Sequence, residues 1–238
     1  MRKLFEIGGV VAAAVLIAFG IAAIVMGFDG RSTVNSNLKQ EQIYGSGDMT
    51  PTAIAGEVAA AKAAQTELIT KLRASGANVT PSPIDTPGCS VAGKLVNSGD
   101  RARCFAEYMR IHTFAATSGL TYSQMGRYEA KPGTPLKLTD GLGGTSDPKY
   151  AAIDPQSKQP ATSHRRDIWV TYTALTTALN TSYMASQLSL FGIVVGIALL
   201  LSGIGFGILA IGGALRHPDN ALAFLTKPFT KSRAPAVS

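Results

Sequence analysis

Few side chains in this sequence have a type and spacing that could carry out chemistry. The 238-residue chain has three histidines, His112, His164 and His217, and two cysteines, Cys89 and Cys104. It contains no HExxH, CxxC, GxSxG, P-loop or GxGxxG pattern of the kind that positions metal ligands, nucleophiles or phosphate groups. His112 lies within a helical pattern, where we expect a hydrogen-bonded core histidine rather than a ligand or a base. The sequence thus predicts no catalytic residues, no cofactor and no metal.

The two cysteines are better suited to a structural role than to a reactive one. Two cysteines without a neighbouring histidine do not make a zinc site. An isolated pair outside a reducing cytosol favours one disulfide, and closing a loop of about 15 residues would stabilise the fold by roughly 3 kcal/mol. Two unpaired buried thiols are the alternative. We therefore predict a Cys89–Cys104 disulfide.

Two uncharged apolar stretches bracket these residues and predict how the chain is placed in a membrane. Residues 7–28 and 188–215 carry no charged side chain. About 20 apolar residues are enough to cross a ~30 Å hydrocarbon core, so each stretch predicts a transmembrane helix. Cleavage of the first as a signal peptide is the alternative, although such peptides usually have only about 7–15 apolar residues. The predicted fold is mainly α, with two transmembrane helices flanking an extracytoplasmic helical domain over 29–187.

Basic residues flank both apolar stretches. They are Arg2 and Lys3 in the N-terminal segment 1–6, and Arg216, Lys227, Lys231 and Arg233 in the tail 216–238. Short basic flanks stay in the cytoplasm, so we expect both termini there and the central domain outside the plasma membrane. The flanks favour anionic lipid at the cytoplasmic face as a partner. The domain has no concentrated basic stripe with aromatic residues, which argues against nucleic acid.

Helix start and stop signals divide the first half of the domain. A helix is predicted to begin at Pro51, with Thr50 as its N-cap and Gly76 just past its end. A second helix is predicted over 101–118, with Asp100 as its N-cap. The helical pattern of each places an apolar face toward a common core.

The second half of the domain begins with an irregular region. Thr121 and Gln124 resemble a capping box, which predicts a short helix. Residues 129–165 contain five prolines and four glycines, which predicts an irregular surface insert. From Asp167 a helical pattern runs unbroken into the second apolar stretch, for about 48 residues in all. Trp169 then belongs to the domain core or to a partner surface rather than to the membrane interface.

Small residues recur on one face of each apolar stretch. They are Gly9, Ala13, Gly20, Ala23 and Gly27 in the first, and Gly192, Gly196, Gly203 and Gly207 in the second. Such a stripe allows the close backbone approach on which helix packing in lipid depends. Packing of the two spans on each other and packing on another chain, in a homo-oligomer or on another membrane protein, are both open.

Three stretches carry a resemblance to known proteins. They are Met1–Gly27, Ala102–Met125 with its RCFAEYMRIH and GLTYSQM, and Asp167–Leu215. They resemble a group of actinobacterial two-span membrane proteins, some of which are described as aromatic ring-opening dioxygenases. Such an enzyme requires a non-haem iron held by histidine and carboxylate, and one histidine is plausibly placed here. The resemblance implies an actinobacterial inner membrane protein and supplies neither an activity nor site residues.

The two spans also limit the function. Neither contains an ionisable residue, which argues against a pump or a proton-coupled transporter. We therefore expect a non-catalytic structural or accessory membrane protein that self-associates or attaches to a larger cell-envelope complex. The alternative is an extracytoplasmic ligand receptor or sensor, which should show a ligand-sized pocket lined by the helix over 101–118.

Overall fold

Four α-helices dominate the computed structural model, which describes residues 2–212. They are α1 (Arg2–Gln40), α2 (Pro51–Ala74), α3 (Gly99–Ala116) and α4 (His164–Ile211). The mainly α prediction is confirmed. The predicted basic tail 216–238 and the last residues of the second predicted span, 213–215, lie outside the described residues.

The chain divides into two compact units. One, here called the span unit, contains the described residues 2–31 and 188–212; the other, the domain unit, is Ser32–Gln187. Two helices, α1 and α4, each contribute to both units. Both are long and apolar enough to cross a membrane, as predicted from the uncharged stretches.

The ends of α2 follow directly from its sequence. The hydroxyl of Thr50 accepts a hydrogen bond from the Ala53 backbone N–H at 3.2 Å, and Pro51 occupies the first helical position. Gly76 follows the helix with φ +91°, a left-handed conformation that glycine adopts without steric cost. The predicted start and stop of this helix are confirmed.

The predicted start of α3 is two residues late. Ser98, not Asp100, is the N-cap, and its hydroxyl accepts from the Arg101 backbone N–H at 3.4 Å. Asp100 lies in the first turn, where a negative charge stabilises the helix N-terminus. Gly119 follows the helix with φ +78°. Both serine and aspartate are good caps, so the sequence alone could not choose between them.

The predicted short helix at Thr121 is wrong. The Thr121 backbone N–H does donate to Oε1 of Gln124 at 2.8 Å, as in a capping box, but the segment is a turn. The amide nitrogen of Gln124 donates to the carbonyl of Thr80 at 2.6 Å and ties this turn to the chain that follows α2. One hydrogen-bonded turn does not nucleate a helix.

The core of the domain unit lies where its helices meet. It includes Ile54, Val58 and Leu68 of α2, Tyr108, Ile111 and Phe114 of α3, and Trp169 and Leu179 of α4. The Trp169 ring stands edge-on to Phe114, with centroids 5.6 Å apart, and its indole N–H donates to the carbonyl of Leu120 at 2.9 Å. Trp169 is therefore a core residue, the first of the two predicted placements.

The insert combines short pieces of strand pairing with one buried carboxylate that accepts three backbone hydrogen bonds. It contains two short antiparallel strands, β1 (Tyr128–Glu129) and β2 (Gly144–Thr145), and two 3-10 turns. Asp140 accepts the backbone N–H groups of Gly126, Leu142 and Gly144 at 2.8–2.9 Å. These three bonds hold the two sides of the insert together.

Asp140→Ala is expected to loosen the insert. The substitution leaves the buried N–H groups of Gly126 and Gly144 without their acceptor. This should lower the free energy of local opening by about 2 kcal/mol, so these amides should exchange roughly 30-fold faster. Hydrogen exchange at these amides measures the effect. Asp147→Ala, which removes an exposed carboxylate in the same insert, is the control. Equal exchange in the two variants would contradict the role assigned to Asp140.

Candidate functional site

The two cysteines form a disulfide that fixes the segment before Cys89, which contains Pro81, Pro83 and Pro87, to α3. Their Cα atoms are 6.0 Å apart. One turn further along α3, the hydroxyl of the buried Tyr108 donates to the carbonyl of Cys89 at 2.5 Å. Burial, followed by the nearby charge of Glu107, raises the pKa of the Tyr108 phenol, so this group remains a donor. The disulfide and the tyrosine hydrogen bond therefore hold the same point of the chain.

The predicted small-residue stripe lies at the contact between the two spans. Of its members, Gly9, Ala13, Gly20, Gly27, Gly196 and Gly203 are buried, and Ala23, Gly192 and Gly207 are partly buried. A Cβ atom added to Gly196 would stand 2.8 Å from the carbonyl oxygen of Gly20, and one added to Gly203 would stand 3.0 Å from that of Ala13. The structure thus fills the stripe within the chain.

One cluster of polar side chains was not anticipated from the sequence. It is not made of core residues: the His112 side chain is 27% exposed and lies between two carboxylates. Its Nδ1 atom is 2.9 Å from Oε1 of Glu57, and its Nε2 atom is 3.4 Å from Oδ2 of Asp48. His112 has hydrogen-bonding partners, as expected, but they are partly exposed acidic side chains rather than core groups. We call these three residues the acid–histidine cluster.

Three separate elements build the acid–histidine cluster. His112 lies on α3, Glu57 in the second turn of α2, and Asp48 in the turn that precedes α2. The Ser46 hydroxyl donates to the Asp48 carboxylate and is the main reason that the pKa of this carboxyl lies below its ordinary value. The turn that contains Asp48 is itself fixed by the Val91 backbone N–H, which donates to the Met49 carbonyl at 3.2 Å. Asp48 is therefore ionised and fixed in place near neutral pH.

The sequence carried no signal for this cluster. Its nearest acidic neighbour in sequence, Glu107, faces Arg103 at 3.4 Å instead. Glu57 is 55 residues from His112 in sequence, and only the packing of α2 on α3 brings them together. Spacing along one helix indicates only pairs three or four residues apart, so it could not reveal this cluster.

Two apolar grooves meet on α4. One, of about 270 Å³, lies between α3 and α4 and is lined by Met109, Ile168, Tyr172 and Leu175. The other, of about 210 Å³, also reaches Leu175 and continues past Leu38, Ile43, Ala178 and Leu179. We call the pair the α4 groove. Its lining is mostly apolar, with His164, Asp167 and Glu41 among its polar members, so it can accept apolar side chains.

A more polar cleft lies on another side of α3. It has a volume of about 320 Å³ and is lined in part by Asp85, Glu107, Arg110 and Ile111. Its size is at the lower limit of typical ligand sites, which are about 300–1,000 Å³. It is the pocket that corresponds best to the receptor alternative.

Two features of the described residues could bind another species, the acid–histidine cluster and the α4 groove. The described residues hold no free cysteine. The acid–histidine cluster can share a proton or bind a cation, and the α4 groove can bind apolar side chains. No known protein family matches the chain, and no curated protein or solved structure matches it.

Proposed function

We propose that this chain is a non-catalytic accessory protein of the plasma membrane that attaches to a larger cell-envelope complex through its domain unit. The observation that carries this proposal is the α4 groove. Each of its halves is smaller than a typical small-molecule site, so it suits a few apolar side chains of a partner. Because both halves reach Leu175, one partner helix or extended segment could occupy them together.

The geometry of the span unit supports attachment through the domain. The small-residue stripe is filled by the neighbouring span, so self-association along it would require the two spans to separate. Large apolar side chains such as Phe19 and Leu201 are instead exposed, as suits contact with lipid tails. The partners that remain are the bilayer itself, with anionic lipid at the cytoplasmic face, and a protein that binds the domain unit.

Native mass spectrometry of a mild-detergent extract tests the attachment. We expect a second protein at fixed stoichiometry. Leu175→Glu should lose it, because binding an apolar partner would bury the new carboxylate without water or a charged partner. Val170→Glu, at a position on α4 that is 55% exposed and outside the groove, should keep the partner. A photo-crosslinking residue at the exposed Ala178 gives an independent readout that does not depend on Leu175. A lone chain with no crosslink would contradict the proposal.

The proposed orientation has both termini in the cytoplasm and residues 29–187 outside. Short basic flanks are retained on the cytoplasmic side. A cysteine introduced at Ser146, which is exposed, should react with an impermeant thiol reagent in intact cells. One introduced at Ser238 should react only after the cells are permeabilised. The reverse pattern would exclude this topology.

A receptor or sensor is the second candidate function. The cleft beside Arg110 favours it, since a guanidinium and two carboxylates at its rim could orient a small polar ligand. A thermal-shift screen of polar metabolites distinguishes the two functions. A receptor should be stabilised by one of them, and Arg110→Ala should remove that stabilisation without changing the partner stoichiometry.

A further inference from the structure

We propose that Asp48, Glu57 and His112 form a binding site for a divalent transition-metal cation, with zinc as the best fit. Attachment through the α4 groove does not require such a site, so the inference is independent of the proposed function. One ligand atom from each of the three residues lies within 4.8 Å of the others. Imidazole and carboxylate are both common zinc ligands.

The hydrogen bond to Glu57 determines which nitrogen of His112 is free. Nδ1 is 2.9 Å from Oε1 of Glu57, a distance at which a ring N–H donates to a carboxylate. In the tautomer that carries its proton on Nδ1, the lone pair is on Nε2, and this atom lies 3.4 Å from Oδ2 of Asp48. A metal ion bound by both atoms, or a second proton on the ring, would offset the negative charge of the Asp48 carboxylate beside Nε2.

The separation of these two atoms fits a tetrahedral ion. With bonds of about 2.0–2.1 Å, two ligands of a tetrahedral zinc stand roughly 3.4 Å apart. Adjacent ligands of an octahedral ion with similar bonds stand roughly 3.0 Å apart. The 3.4 Å between Nε2 of His112 and Oδ2 of Asp48 is therefore the separation expected for two ligands of a tetrahedral zinc.

Glu57 acts as a positioning residue in this arrangement. A carboxylate that accepts the far N–H of a ligating histidine fixes its tautomer and ring orientation, and removing it typically lowers metal affinity about 10–100-fold. Asp48 is held in the same way by the Ser46 hydroxyl. The side chains of the cluster are 27–43% exposed, so an ion can enter from solvent and keep water in its remaining positions.

The test is zinc titration of the full-length chain, purified in detergent without a polyhistidine tag and stripped with a chelator. Native mass spectrometry and calorimetry with zinc chloride should show one ion per chain. His112→Gln should abolish binding, and Glu57→Gln should weaken it about 10–100-fold. His164→Gln, which removes an exposed histidine outside the cluster, should bind as the wild type does.

Two results would overturn the proposal. One is the absence of zinc binding by the stripped wild-type protein, which would mean that a proton alone lies between His112 and Asp48. The other is equal zinc binding by His112→Gln and His164→Gln. Thermal unfolding of each variant shows whether it is folded. If His112→Gln does not fold, Glu57→Gln still tests the proposal, because it keeps the two direct ligands, His112 and Asp48.

Discussion

The variant Cys89→Ala/Cys104→Ala is expected to lower the free energy of unfolding of the domain unit by about 3 kcal/mol. The disulfide closes a loop with a sequence separation of 15, and opening it restores that much conformational freedom to the unfolded chain. The loss should shift the melting temperature by about 6–12 °C for a unit of this size. Circular dichroism during heating measures the shift.

Reduction of the wild-type protein is the matched control for this variant. A reducing agent breaks the bond without changing any side-chain volume, so it should reproduce most of the shift. Tyr108→Phe removes the hydrogen bond to the same carbonyl and should cost about 1 kcal/mol, clearly less than the disulfide. A reduced protein that melts with the oxidised one would show that the bond does not clamp the fold.

The helices of this fold were predictable because their signals are local. Thr50, Pro51 and Gly76 each act through the backbone groups beside them, so their roles can be read without knowing the rest of the structure. The start of α3 shows the limit of such reasoning. Ser98 and Asp100 are both good caps two residues apart, and the structure uses Ser98.

The insert and the acid–histidine cluster were not predictable, because both depend on contacts between distant parts of the chain. Asp140 binds the N–H of Gly126, 14 residues away, and so orders a segment whose prolines and glycines only indicate irregularity. His112 meets a carboxylate 55 residues away. No period or spacing in one sequence encodes such pairs; they appear only once α2 has packed on α3.

The small-residue stripe illustrates an intermediate case. The sequence indicates a close-packing face, since small residues at steps of three, four and seven residues lie on one side of an apolar helix. It does not say what covers that face. The structure answers with a specific contact, Gly196 against Gly20, within a single chain.

Gly196→Ala and Gly203→Ala are therefore expected to separate the two spans. The new Cβ atoms would stand 2.7 Å from Cγ1 of Ile24 and 2.8 Å from Cγ1 of Ile17, with backbone carbonyls of α1 almost as close. Overpacking of this kind costs about 2 kcal/mol at each position. In lipid there is little hydrophobic gain to offset it, so the double variant should lose about 4 kcal/mol of span packing.

Gly205→Ala is the matched control for this prediction. Gly205 lies on the same helix, and a Cβ added there meets nothing within 4 Å. Alanine is the better helix former by up to about 1 kcal/mol, so the control should be neutral or stabilising where Gly196→Ala destabilises.

Spin labels at cysteines introduced at Gly8 and Leu209, both exposed, report the distance between the spans in lipid vesicles. The control should keep one short distance, and the double variant should broaden and lengthen it. If instead the spans stay together while a larger particle dissociates, the stripe packs between chains. If nothing changes, the close approach of Gly196 to Gly20 does not hold the hairpin.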